Sequence, residues 1–194
     1  MTDITRREAV HTIVGTLAAM GFTPIQVERA RRVMGVVQAN AYDPQFFSST
    51  EWQTLRVLVD MIIPADERSG SATDAAVPEF MDVLLAEQPE NGTWMQGGLA
   101  WITNECEERF GVTFTDASPE QRAAIVNDVA WPDRARTELS QGVHFFTRLR
   151  DFTASGFWSS KMGIDDLQYM GNVAVPEWTG CPPEQLRKLG VGYE

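Results

Sequence analysis

From Pro44 onward, apolar residues recur every third or fourth position, and no stretch alternates apolar with polar for more than a few residues. That period matches one face of an α-helix and cannot line one face of a pleated strand, so the spacing predicts an all-α fold. Proline, glycine and capping residues divide the pattern into pieces. Thr50-Glu51-Trp52-Gln53 reads as a capping box with Thr50 as the cap, and Trp52, Leu55, Val59 and Ile62 then share a face until Pro64. Residues 65–77 form a loop of small and polar residues. Pro78 suits the first position of the next helix, whose buried face is Phe80, Val83 and Leu84, and Asn91-Gly92 breaks it. Leu99, Ile102, Cys106 and Phe110 mark a third helix that Gly111 ends. Ser118-Pro119-Glu120-Gln121 caps another, carrying Ile125, Val126 and Val129 and closed by Trp131-Pro132. Leu139, Val143, Phe146 and Leu149 lie on a last long helix that Gly156 ends.

The expected architecture is an irregular helical bundle over residues 44–156, preceded by a helical arm over 1–43. An extended, aromatic-rich tail follows over 157–194, with helical character only from Pro183-Glu184-Gln185-Leu186. Trp158, Tyr169, Trp178 and Tyr193 make that tail too aromatic to be left in solvent.

The arm is basic on an acidic protein: it holds Arg6, Arg7, Arg29, Arg31 and Arg32, while the chain carries 27 acidic against 16 basic residues. Two readings of it stand. Thr5-Arg6-Arg7 before a mild apolar run resembles a degenerate twin-arginine export signal. Alternatively, Val10, Ile13, Leu17 and Met20, and then Val33, Val36 and Val37 opposite Ile25, Arg29 and Arg32, are amphipathic helices that dock on a partner. The net charge of -11 argues against nucleic acid as a partner, since a phosphate backbone would be repelled. No apolar run reaches the roughly 20 residues of a membrane span.

Chemistry is sparse. Two histidines and two cysteines leave little for a metal site. His144, beside Phe145 and Phe146, reads as a packed or half-buried histidine, and Asp165-Asp166 as a solvated turn or cap, because adjacent side chains diverge. Cys106 reads as a buried small hydrophobe, and two free thiols are favoured over a Cys106–Cys181 disulfide. Trp94, Trp101 and Trp131 read as helix-packing residues. No catalytic, cofactor-binding or metal-ligating residues are assigned. Asp60 stands in the last turn of its helix, where the macrodipole disfavours a negative charge. It therefore calls for a partner, such as an amide of the 65–77 loop, and Asp66 is expected to do the same.

Asp60-Met61-Ile62-Ile63-Pro64-Ala65-Asp66, followed by Ala75-Ala76-Val77-Pro78-Glu79-Phe80-Met81-Asp82, resembles the gluconate 2-dehydrogenase subunit 3 family, with Asp60, Pro64, Asp66, Pro78 and Asp82 as its structural motif. The tail, from Gly156-Phe157-Trp158 through Tyr169-Met170-Gly171-Asn172 to Trp178-Thr179-Gly180-Cys181, is similar to small subunits paired with glucoside 3-dehydrogenase-type flavoproteins. The resemblance implies a non-catalytic small subunit. Its partner would be a large flavoprotein of the glucose–methanol–choline (GMC) type holding FAD, with electrons leaving through an iron–sulfur cluster or a cytochrome c. It implies export of the pair to the periplasm, with a cytoplasmic protein keeping its arm as the alternative. Trp158, Tyr169, Asn172 and Trp178 are the expected partner contacts. A transient chaperone for FAD insertion and a stand-alone small-molecule enzyme are the competing functions.

Overall fold

A computed structural model describes residues 15–36, 42–168, 180–181 and 183–192. Residues 15–19 are helical, and the helices that follow are α1 (Pro24–Val36), α2 (Ser49–Ile62), α3 (Val77–Glu87), α4 (Thr93–Phe110), α5 (Pro119–Val129), α6 (Ser140–Ser159), α7 (Lys161–Asp166) and α8 (Pro183–Leu189). Among the described residues there is no strand, so the chain is all-α.

α3 runs through the middle, against α1, α2 and α6. Eight of its 11 residues are buried, including Glu79 and Asp82. A helix buried nearly all round must find partners for its polar groups inside the protein. α4 packs on α2, α5 and α6, and the α4–α6 crossing is close because each helix offers a glycine to the other's ring. A Cβ at Gly142 would stand 2.2 Å from the Trp101 ring, and one at Gly98 would stand 1.8 Å from Phe145.

Several starts and stops differ from expectation. Ser48, not Thr50, caps α2: its hydroxyl takes the Glu51 amide while the Glu51 carboxylate takes the Ser48 amide. A charged acceptor in the first turn also gains from the macrodipole, which Gln53 could not. Pro78 is the second residue of α3, after Ala76 in a left-handed conformation at φ 57°. Asn91-Gly92 ends a 3₁₀ turn, Pro89–Gly92, that feeds directly into α4. Gly111, also left-handed at φ 70°, ends α4 as expected, and the Ser118 box opens α5.

Gly156 does not end α6. It is buried, and a Cβ there would lie 3.0 Å from Val77 and 3.2 Å from Phe80, so the glycine lets α6 approach α3. The segment expected to be irregular from residue 157 therefore begins with three more helical residues and then α7. The helix expected from Pro183 is α8.

The described part of the arm docks on its own domain. Leu17, Met20, Phe22 and Ala30 belong to the main core, and Phe22 stacks on Phe152 at 5.7 Å. The face differs from the expected one: Ile25 and Val36 are each 81% exposed, whereas Val27, Ala30 and Met34 face inward. Ala30 has no side-chain bulk beyond Cβ, so this stripe lets α1 sit close to α3, which the branched Val33–Val36 stripe would prevent. Val10, Ile13, Val37 and the Arg6-Arg7 pair lie outside the described residues.

Candidate functional site

The motif carboxylates lie where α2 and α3 meet their loops. Asp60, at the end of α2, accepts the Thr73 amide at 2.8 Å and the Thr73 hydroxyl at 2.5 Å. The Ala72 amide donates to the Ile63 carbonyl at 3.0 Å beside it. This is the clamp that the unfavourable position of Asp60 called for. Asp66 does something else: it accepts the amides of Arg68 and Ser69, at 2.8 and 2.9 Å, and so pins its own turn instead of reaching across the loop. Those amides, Ser69 first, hold its carboxyl below the ordinary range. Pro64 is exposed just past the end of α2, and Pro78 is buried in α3.

Asp82 is the most fully satisfied carboxylate of the group. It is completely buried. Its Oδ2 accepts the Tyr42 hydroxyl at 2.7 Å and the Gln45 amide at 2.8 Å; its Oδ1 accepts the Phe46 and Phe47 amides at 2.9 and 3.2 Å. One side chain thereby fixes the path that leads into α2. Burial, then the bond to Asp82, pushes the Tyr42 phenol well above its ordinary value.

Glu79, one turn earlier, is equally buried but poorly served. Among the described residues its only cation is Arg56 at 3.4 Å, and its Oε2 has no hydrogen-bond partner. Loss of water pushes its carboxyl up from the ordinary range, against the pull of its own backbone amide and Arg56. Sequence reasoning missed Glu79; a lone acid inside the apolar run Val77-Pro78-Glu79-Phe80-Met81 was the available signal.

A groove of about 890 Å³ lies between α1, the 68–75 loop and the α6–α7 junction. Its cations are matched from within the chain. Arg31 donates to the Ser159 carbonyl at 2.9 Å, Arg68 pairs with Asp166 at 3.0 Å, and Lys161 pairs with Asp165 at 2.5 Å. Asp165 and Asp166 therefore serve separate partners.

Of the expected partner contacts, Trp158 is half-buried on α6, edge-on to Phe157 at 5.0 Å, while Tyr169, Asn172 and Trp178 lie outside the described residues. Trp94 and Trp101 pack on the core as expected, but Trp131 is 59% exposed because it follows the end of α5 instead of lying on its inner face. His144 is exposed, not packed: Phe145 and Phe146 take the inward positions and turn it outward. Cys106 is buried, which pushes its thiol up, and no disulfide joins it to Cys181. Among the described residues, no group of three or more His, Cys, Asp and Glu side chains could hold a metal ion, and no helix is long and apolar enough to cross a membrane.

The family model for gluconate 2-dehydrogenase subunit 3 matches residues 49–176, which run from α2 past α7 and include both motif segments. The chain belongs to this family. Membership implies association with the catalytic subunit of a dehydrogenase. No curated protein and no solved structure matches the chain.

Proposed function

We propose that this chain is the non-catalytic small subunit of a flavin-dependent sugar dehydrogenase, needed for the stability, maturation and export of the catalytic subunit. The observation that carries the reading is the fate of the motif carboxylates. Asp60 and Asp82 are each occupied by donors of this same chain, so the residues that most mark the family shape a scaffold. A general acid or base needs a carboxyl free to exchange a proton with substrate, whereas Asp82 is buried under four donors, Asp60 already takes both Thr73 donors, and the exposed Asp66 is tied to the amides of its own turn.

In this reading the partner is a large flavoprotein of the GMC type. It carries FAD and passes electrons onward through an iron–sulfur cluster or to a cytochrome c. The glucoside 3-dehydrogenase branch is the favoured relative, on the tail motifs. The arm guides the pair to the periplasm, and its inner half stays with the mature subunit, since Leu17, Met20 and Phe22 are part of the core.

The test is turnover. The isolated chain and its complex with the flavoprotein are assayed on gluconate, glucose and glucosides with a dye as electron acceptor. Activity is expected from the complex alone. Oxidation by the flavin-free chain would overturn the proposal.

A further inference from the structure

A second groove, of about 340 Å³, opens between α4 and α6, away from the motif loops. Trp94 and Trp101 line one wall, seven residues apart on one face of α4. Gln141, His144 and Arg148 line the other, at helical spacing on α6. The reciprocal glycine contacts of the α4–α6 crossing set its floor, and Gly97 at its rim has open space above it. The Trp94 ring is held from behind by Phe145 and Phe152, at centroid distances of 6.2 and 6.5 Å.

Arg148 lies over the Trp94 ring at 4.4 Å. Among the described residues no carboxylate pairs with it, and burial alone pulls its guanidinium below the ordinary value. The groove lining contains no Asp, Glu or Lys, on a chain that carries 27 acidic residues. The contrast with the α1 groove, where each of Arg31, Arg68 and Lys161 has an acceptor, is direct. A half-buried guanidinium without a counter-charge is costly unless something supplies one.

The surface beside the groove repeats the theme. Trp101 and Ala130 both pack on the Val129–Leu139–Phe146 cluster, and the next residue, Trp131, is exposed beneath Arg134 at 5.8 Å. Tryptophans stacked with arginines are enriched at the centres of protein interfaces, and within the groove itself neither lysine nor carboxylate intervenes.

We propose that the α4–α6 groove is the docking surface for the dehydrogenase's catalytic subunit, with an Asp or Glu side chain of that subunit seated on Arg148 between Trp94 and His144. This rests on the accessory-subunit reading above and adds the face by which the partner is held. Docking brings the missing negative charge into a water-poor cleft, where a guanidinium fork can take both carboxylate oxygens.

The test uses the full chain co-expressed with its catalytic subunit. Arg148→Glu is expected to weaken the complex about 30-fold or more, as loss of a central anchor does, while the small subunit still melts cooperatively. Arg148→Lys, which keeps the charge and loses the fork, should fall between. Arg32→Glu, on the α1 groove, should leave the complex intact. A photoreactive benzoylphenylalanine placed at Gly97 should cross-link to the catalytic subunit, and this decides the matter if Arg148→Glu does not fold. An unweakened Arg148→Glu complex, or a Gly97 probe that never labels the partner, would overturn the docking surface and leave the accessory role standing. Binding of gluconate or acetate to the isolated chain that Arg148→Glu abolishes, with the complex unaffected, would likewise overturn it in favour of a small-molecule site. Failure of the wild-type chain to form any complex would overturn both readings.

Discussion

The α1–α3 side of this bundle pairs most of its charge within the chain, Glu79 excepted, whereas the α4–α6 groove leaves Arg148 without a carboxylate among the described residues. On the first, Asp82 collects four donors, Asp60 takes two from Thr73, and Arg29 of α1 pairs with Glu87 of α3 at 2.8 Å. On the second, Arg148 rests on an aromatic ring with no carboxylate beside it among the described residues. Polar groups matched within one chain hold that chain in shape. On the docking proposed above, the charge left without a carboxylate at the α4–α6 cleft is matched by the partner. The first side is a scaffold and the second is a contact surface, and substitutions on them should separate stability from association.

The largest effect should come from removing residues 1–41. That strips Leu17, Met20, Phe22 and Ala30 from the core and uncovers α3. With about 1.5–3 kcal/mol for each large side chain, the loss approaches the whole stability of a domain, and the truncated chain should be insoluble or unfolded by circular dichroism. A soluble, cooperatively melting product would show that α1 is an ornament to the scaffold.

Asp82→Ala should come next. It leaves three amides and the Tyr42 hydroxyl without an acceptor, at a cost of about 3 kcal/mol or more. Urea unfolding measures this, and a change under about 1 kcal/mol would mean that water replaces the carboxylate easily. Asp60→Asn retains one good acceptor for Thr73 and should cost about 1–2 kcal/mol, with the activity per flavin of the assembled complex unchanged. A large loss of activity at unchanged stability would place Asp60 on the wrong side of the comparison.

Glu79 gives a pH-dependent test. Burial makes it harder to ionise in the fold than in the unfolded chain, so its folded value lies above the ordinary glutamate value. A raised carboxyl contributes stability that is full below the unfolded value and is lost as pH rises through the folded one. The wild-type melting temperature should therefore decline relative to Glu79→Gln as pH rises above about 4.5. Parallel curves would show that Arg56 fully compensates the buried charge. The smallest effect belongs to Trp131→Ser, which should leave melting within about 0.5 kcal/mol of wild type because the ring is exposed, while weakening association.

What the sequence disclosed follows the range of the interactions. The fold class, the Ser118 box, the Gly111 stop and the Asp60 clamp were legible, because each rests on residues within about a dozen positions of one another. The Asp82 knot was not, since its donors come from residues 42–47 and nothing local points to them. Gly156 was misjudged for a related reason: a glycine that ends a helix and one that admits a neighbouring helix look identical until the neighbour is known. The α4–α6 groove was hidden in the same way. Trp94, Trp101 and His144 were each noticed, but only the crossing of two helices puts them with Arg148.

On the proposed function, this polypeptide shapes and holds a redox partner, and the partner performs the oxidation. The direct measurement is the flavin content and specific activity of the catalytic subunit produced with and without this chain. A flavin-loaded, active enzyme is expected only when both are made together. A catalytic subunit that is equally loaded, equally active and equally soluble alone would contradict it.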